Sequence, residues 1–175
     1  MHISELNKST YNEYYQTYIS TLKEVELVSE LQARLDSLVP ILEAIKEEDY
    51  NYSYAAGKWS IRALLLHIID TERVLQYRAF TFARNNGSTL NGFEQDDYVV
   101  NSYPNLRSKS SLIDEFITVR KSSISLFSSF DKEIFNNAGK IEGSPMSVGA
   151  AGFIICGHQK HHENVIIEKY LPSLK

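Results

Sequence analysis

Apolar residues recur at helical spacing in four separate segments of this chain, and this pattern constrains the fold more than any other feature of the sequence. The segments cover about residues 24–47, 60–85, 110–130 and 147–170. Intervals of three and four residues place apolar side chains on one face of an α-helix. In the first segment these side chains are Val28, Leu31, Leu35, Leu38, Leu42 and Ile45.

Capping and helix-breaking residues mark the ends of these segments. Ser60 and Ser147 stand where the second and fourth helices would begin, and serine is a favoured N-cap. Gly87 follows the second segment and Pro172 ends the fourth. Pro40 lies inside the first segment, where proline predicts a kink or a break.

Four helices with one apolar face each must bury those faces against one another, so the pattern predicts an all-α fold, a four-helix bundle. No segment of alternating apolar residues competes with this prediction. The length of 175 residues suits one domain, which we assign to residues 1–175. Two long connections remain, at 86–109 and 136–146, and the first is long enough to cover a site.

The composition excludes several classes of protein. A net charge of -4 and a pI near 5.7 do not favour nucleic-acid binding, which calls for a basic surface. The single cysteine excludes a disulfide framework within the chain and fits a reducing compartment. No apolar run reaches the ~18 residues of a membrane span, and the polar N-terminus does not resemble a signal peptide. We therefore expect a cytoplasmic protein without membrane contact.

Two histidines interrupt the apolar face of the fourth segment. His158 and His162 continue the spacing of the apolar residues and lie one helical turn apart, so both imidazoles point the same way. Two histidines at this spacing can bind one metal ion. The alternative is a pair of polar side chains at a bundle edge, each satisfied by hydrogen bonds. His161 points about 100° away from His162 and is either a supporting group or a surface residue.

A metal site needs a third ligand, and His67 is the remaining interior histidine. It lies on the flank of the second apolar stripe, a position that is more typical of a boundary histidine satisfied by hydrogen bonds than of a ligand. Cys156 lies about 160° around the helix from His158, so we predict that it fills the core.

Four motifs in this chain resemble the DinB-like (YfiT-like) metal-dependent superfamily, in the right order from about Tyr50 to Leu171. The four motifs are GKWSI at residues 57–61, HIIDTER at 67–73, GFEQDDYV at 92–99 and GHQKHH at 157–162. Their combination is specific, although each motif alone would be weak evidence for the family.

This resemblance implies an up-down-down-up four-helix bundle that is frequently dimeric. It also implies a divalent metal, zinc or nickel, bound by His67, His158 and His162. Characterised relatives include S-transferases and an isomerase that use a low-molecular-weight thiol. One departure is Ala63, since relatives often carry an acidic residue there that completes a capping box.

Three neutral imidazoles leave the charge of a divalent ion uncompensated and a coordination position open, as in catalytic metal sites. Water in that position predicts a hydrolase, and a thiol predicts an S-transferase acting on small molecules. The ligands are the same for both reactions, so the sequence does not choose between them. The alternative is a metal-binding or stress-related interaction bundle without catalysis.

Other polar residues are candidates for supporting roles. Ligand histidines usually donate their second N–H to a carboxylate or a carbonyl, and Asp70, Glu72 and Glu163 are candidates, although Asp70 and Glu72 also fit a helical charge pattern. Arg78 either forms a salt bridge or binds a carboxylate or phosphate of a substrate. The acidic residues at 94–97 belong either to a solvated loop or to a lid over the site.

Overall fold

The computed structural model describes residues 1–174 and contains a long helix in each of the four predicted segments. A π-helical turn, Ile166–Tyr170, continues the last of them. Numbered in chain order, the α-helices are α1 (Gln16–Ile19), α2 (Leu27–Ala44), α3 (Ile61–Arg84), α4 (Gln95–Asn101), α5 (Lys109–Ser128) and α6 (Val148–Val165). Short 3-10 helices occupy Ile3–Glu5, Lys8–Thr10, Glu13–Tyr15, Glu47–Asn51, Pro104–Leu106, Lys132–Asn136 and Leu171–Ser173.

The predicted capping residues begin both helices that carry the histidines. The Ser60 hydroxyl accepts a hydrogen bond from the Ala63 N–H, and the Ser147 hydroxyl accepts one from the Ala150 N–H. The serine therefore caps α3 without the acidic partner that Ala63 replaces. Helix α2 continues through Pro40 to Ala44, so the predicted break at Pro40 does not occur.

Each long helix packs against two of the others. Helix α3 contacts α5 and α6, and α2 contacts the same two helices, so α2 and α3 lie diagonally across the bundle. This arrangement makes α3 and α6 direct neighbours although they are far apart in sequence. The histidines predicted on these two helices can therefore meet inside the bundle.

Two apolar clusters form the core, with a layer of buried polar side chains between them. Leu31 and Leu75 belong to one cluster, and Leu38 and Ile68 to the other. No helix within residues 1–174 is long and apolar enough to cross a membrane. The polar side chains between the clusters include Glu72, Arg120, Ser123, His158, Gln159 and Glu163.

The prediction of a helical fold is confirmed in its coarser form: the described residues are mostly helical, and they also include a small three-stranded sheet that the all-α prediction did not contain. Strand β1 (Thr89–Leu90) pairs in parallel with β2 (Ala138–Ile141), which pairs in antiparallel with β3 (Ser144–Ser147). These strands span only two to four residues each, too few to show an alternating pattern in the sequence. Between β2 and β3, Glu142 and Gly143 both have positive φ (48° and 86°), as a tight hairpin turn requires.

Candidate metal centre

Helices α3 and α6 bring three imidazole rings together inside the bundle. The Nε2 atom of His158 lies 2.9 Å from Nε2 of His67 and 3.1 Å from Nε2 of His162. One nitrogen from each ring forms a group in which all atoms lie within 4.8 Å of one another. Within residues 1–174 no fourth histidine, cysteine, aspartate or glutamate joins this group. The structure thus assembles the predicted trio, and metal binding by it stays a prediction.

A glycine on α6 allows the N-terminal segment to approach the site. A Cβ atom at position 157 would lie 2.3 Å from the carbonyl oxygen of Tyr18, so a larger residue than Gly157 would push α1 away. With the glycine, the Tyr18 ring packs edge-on against His158, with centroids 5.2 Å apart. On the other side, the Trp59 ring lies 4.7 Å from the His67 ring. The aromatic rings fix the orientation of two of the three imidazoles.

Burial lowers the pKa of all three histidines. The pKa of His67 falls to about 4 because its ring is buried, and the charge of Asp96 opposes part of this shift. Burial, together with the neighbouring histidines, lowers the pKa of His162 to about 3 and that of His158 well below its usual range. The rings are therefore neutral at pH 7, which is the protonation state in which imidazole binds a metal.

The lowered pKa values predict that metal-free protein loses stability in mild acid. A histidine in the unfolded chain has a pKa of about 6.5, so below that pH the unfolded chain binds more protons than the folded one. The free energy of unfolding is therefore unaffected by protonation of these histidines above about pH 6.5. It falls as the pH drops toward the pKa values of the folded protein, by up to about 1.4 kcal/mol per pH unit for each histidine.

Denaturant unfolding of chelator-treated protein at pH values from about 7.5 to about 5 measures this slope. The variant His162→Gln should have a slope that is smaller by one histidine's contribution. If the free energy of unfolding changed equally with pH in the variant and the original protein, the loss of stability in acid would not come from these rings.

Two of the three proposed carboxylate partners of the histidines are engaged elsewhere. Glu72 accepts hydrogen bonds from Arg120 and Ser123, and Glu163 accepts them from Ser37 and Lys160 and lies close to Arg34. Neither carboxylate makes a hydrogen bond to the trio within the described residues, so the structure gives no support to these two candidates as groups that orient the ligands. Asp70 makes no hydrogen bond to the trio within the described residues, and Nδ1 of His162 is buried without a partner there.

Two cavities give access to the trio from different sides. One of about 340 Å³ is bordered by Trp59, Asp96, His161 and His162. The other, of about 210 Å³, is bordered by His158, the tyrosines of the N-terminal segment and Arg78. Both reach a candidate ligand, so a small molecule can approach the imidazoles.

The acidic segment at 94–97 begins helix α4 rather than forming an irregular loop. This helix packs on α3, and the negative charge of Asp96 acts on His67. Asp96 is exposed and borders the cavity beside His162, and a role as a lid stays a prediction. Tyr18 was not expected at the site, because nothing in the spacing of the tyrosines links them to a histidine on another helix.

The two other residues weighed beside the trio lie outside it. His161 is exposed and contacts the rings of Tyr18 and His162, which fits a surface position at the cavity rim. Cys156 is fully buried in one of the apolar clusters, where burial raises the pKa of its thiol. The cysteine therefore fills the core, as its angular distance from His158 predicts.

Comparisons with known proteins identify a family and a solved structure of similar fold. A family model described as the DinB superfamily matches residues 30–166. Among solved structures, the chain resembles YfiT from Bacillus subtilis, described as a probable metal-dependent hydrolase with an unusual four-helix bundle topology. The two are 14% identical and superpose with a TM-score of 0.73, over 96% of this chain and 92% of YfiT. A comparison with curated protein sequences finds no match.

Proposed function

The chain belongs to the DinB superfamily, and from this premise we propose that it is a metal-dependent enzyme acting on small molecules. The observation that carries the proposal is the convergence of ligand atoms from His67, His158 and His162 within 4.8 Å. The ion we expect there is divalent, zinc or nickel.

The chemistry of the three donors fits a cation better than it fits hydrogen bonding. A neutral imidazole nitrogen has either one N–H or one lone pair. Nε2 of His158 faces the Nε2 atoms of both His67 and His162, so it can satisfy only one of them well. A cation accepts a lone pair from all three nitrogens at once.

The spacing of the donors also fits a small divalent ion. Nitrogen ligands at 2.0–2.1 Å from a metal lie about 2.8–3.0 Å apart at right angles and about 3.3–3.4 Å apart in a tetrahedron. The separations of 2.9 Å between His67 and His158 and of 3.1 Å between His158 and His162 fall in this range or close to it, and the donors of His67 and His162 lie within 4.8 Å of each other. They support a common ion without distinguishing zinc from nickel.

Three imidazole donors would leave a bound divalent ion with a position for a ligand from outside the chain, which supports catalysis. A divalent ion with three imidazole ligands supplies a Lewis acid that lowers the pKa of a bound water to about 7 or deprotonates a thiol. Trp59 and Tyr18 hold two of the rings in place. Asp96, at the cavity beside His162, supplies a negative charge that partly compensates the cation. The non-catalytic alternative calls for a fourth protein ligand and for a site that solvent cannot reach. Within residues 1–174 there is no fourth ligand, and two cavities reach the trio.

Two assays on metal-loaded protein test the proposal and separate the two reactions. Hydrolysis is measured with a p-nitrophenyl ester, and S-transfer with an aromatic chloride in the presence of a low-molecular-weight thiol. One of these activities should depend on added metal and disappear in His162→Ala. The control His2→Ala, which changes an exposed histidine that borders neither of the two cavities, should retain it. Equal activity in wild type and His162→Ala, or none in either assay, counts against an enzyme of this kind.

Several further expectations remain predictions. The low-molecular-weight thiol, the homodimer and the cytoplasmic location follow from the resemblance or from composition. The single domain over 1–175 is likewise an expectation from chain length. Size-exclusion chromatography with light scattering measures the oligomeric state directly.

A further inference from the structure

An arginine lies on the same face of α3 as the candidate ligand His67. His67, Thr71, Leu75 and Arg78 follow one another at intervals of four, four and three residues, which places them along one side of the helix. Eleven residues of helix separate the Cα atoms of His67 and Arg78 by about 16 Å. Helical side chains slant toward the N-terminus, which shortens the distance from the Arg78 side chain to the imidazoles.

Arg78 differs from the other buried arginines because it has no carboxylate partner among the described residues. Its side chain is only 3% exposed. Arg120, which is fully buried, forms a bidentate ion pair with Glu72, and Arg62 pairs with Glu47. Within residues 1–174 no carboxylate lies within ion-pair distance of the Arg78 guanidinium.

The contacts that Arg78 does make leave its positive charge uncompensated. The guanidinium donates a long hydrogen bond of 3.5 Å to the Asn91 carbonyl and lies 5.6 Å from the centroid of the Phe93 ring. A buried charge without an opposite charge is costly, and proteins rarely retain one without a use. An anion supplied from outside the chain would remove that cost.

The cavity of about 210 Å³ connects this guanidinium with the metal centre. Arg78 and His158 both border it. Thr71 borders it between them, and its hydroxyl is buried without a hydrogen-bond partner in the described residues. The volume is below the ~300 Å³ of typical drug-sized pockets, so the cavity suits a small molecule.

We propose that Arg78 binds the carboxylate of a small substrate whose reacting group lies at the three-histidine centre, an inference that rests on the proposed function. A planar carboxylate matches the two parallel N–H donors of a guanidinium. A phosphate dianion would call for a second cation, and no lysine of residues 1–174 borders this cavity. Glu94 also borders it but is exposed and makes no ion pair with Arg78.

Calorimetric titration with hexanoate and with the uncharged hexanamide tests this site. We expect hexanoate to bind the original protein and to bind Arg78→Met at least about tenfold more weakly, because a charge-assisted pair is lost. Arg78→Lys keeps the positive charge but not the two parallel N–H donors of the guanidinium. Its affinity for hexanoate should lie between those of the original protein and Arg78→Met. Arg84→Met, which removes an exposed charge from the same helix, should bind within about twofold of the original protein.

The controls separate this proposal from the metal proposal. Titrations are run on protein as purified and after chelator treatment, with folding of each variant checked by circular dichroism. Arg78-dependent binding after chelator treatment would show that this site works without a metal. Failure of the chelator-treated protein to take up added zinc or nickel would refute the metal centre and leave the Arg78 site intact. Hexanoate binding that is absent, or equal in the original protein and Arg78→Met, overturns the proposal, as does tighter binding of hexanamide or of inorganic phosphate.

Discussion

The variant His158→Ala should lose stoichiometric binding of zinc or nickel, with an affinity at least about 100-fold below that of the original protein. His158 is the central ring, since its Nε2 atom lies within 3.1 Å of the Nε2 atoms of both other histidines. Loss of a residue that merely supports a ligand typically costs 10–100-fold in metal affinity, so loss of a ligand should cost more. Competition titration against a chelator measures the affinity.

His161→Ala is the matched control for that experiment. It removes an imidazole three positions further along α6 that is exposed and does not belong to the trio. The control should bind metal within about twofold of the original protein. Similar affinities for His158→Ala and the original protein would mean that the three rings do not share an ion.

The largest effect on stability is expected at the ion pair between α3 and α5. Glu72 is 2% exposed and accepts two hydrogen bonds of 2.8 Å from Arg120, which is fully buried. Glu72→Ala leaves the guanidinium buried without its partner and should lower the free energy of unfolding by about 3–5 kcal/mol. The midpoint of urea unfolding at unchanged slope measures this loss.

Two further variants show whether the loss comes from the unpaired charge. Replacing both residues, Glu72→Met with Arg120→Leu, removes both charges and should recover much of the stability. Arg73→Met breaks the neighbouring half-exposed pair with Glu115 and should cost less than about 1 kcal/mol. A loss in Glu72→Ala no larger than in Arg73→Met would contradict the assignment.

Local features of the fold were predictable because they depend on neighbouring residues. Apolar spacing identifies the four long helices, and Ser60 and Ser147 mark two of their starts through hydrogen bonds three residues away. The pairing of His158 with His162 is equally local, since one turn of one helix sets it.

Features that depend on distant contacts were not predictable in the same way. His67 lies 91 positions from His158, and the meeting of the two follows only from the packing of α3 on α6. The positions of Glu72 and Glu163 in the sequence do not reveal that Arg120 donates a hydrogen bond to Glu72 and that Ser37 donates one to Glu163. The short strands likewise depend on pairing between β1 and β2, which lie about fifty residues apart.

An anomalous-difference map from crystals of the untagged protein loaded with zinc tests the central claim most directly. We predict a single strong peak inside the bundle, about 2.0–2.2 Å from Nε2 of His67, His158 and His162. A map without a peak there, or with His67 too far away to be a ligand, would contradict the account and leave only the helical fold.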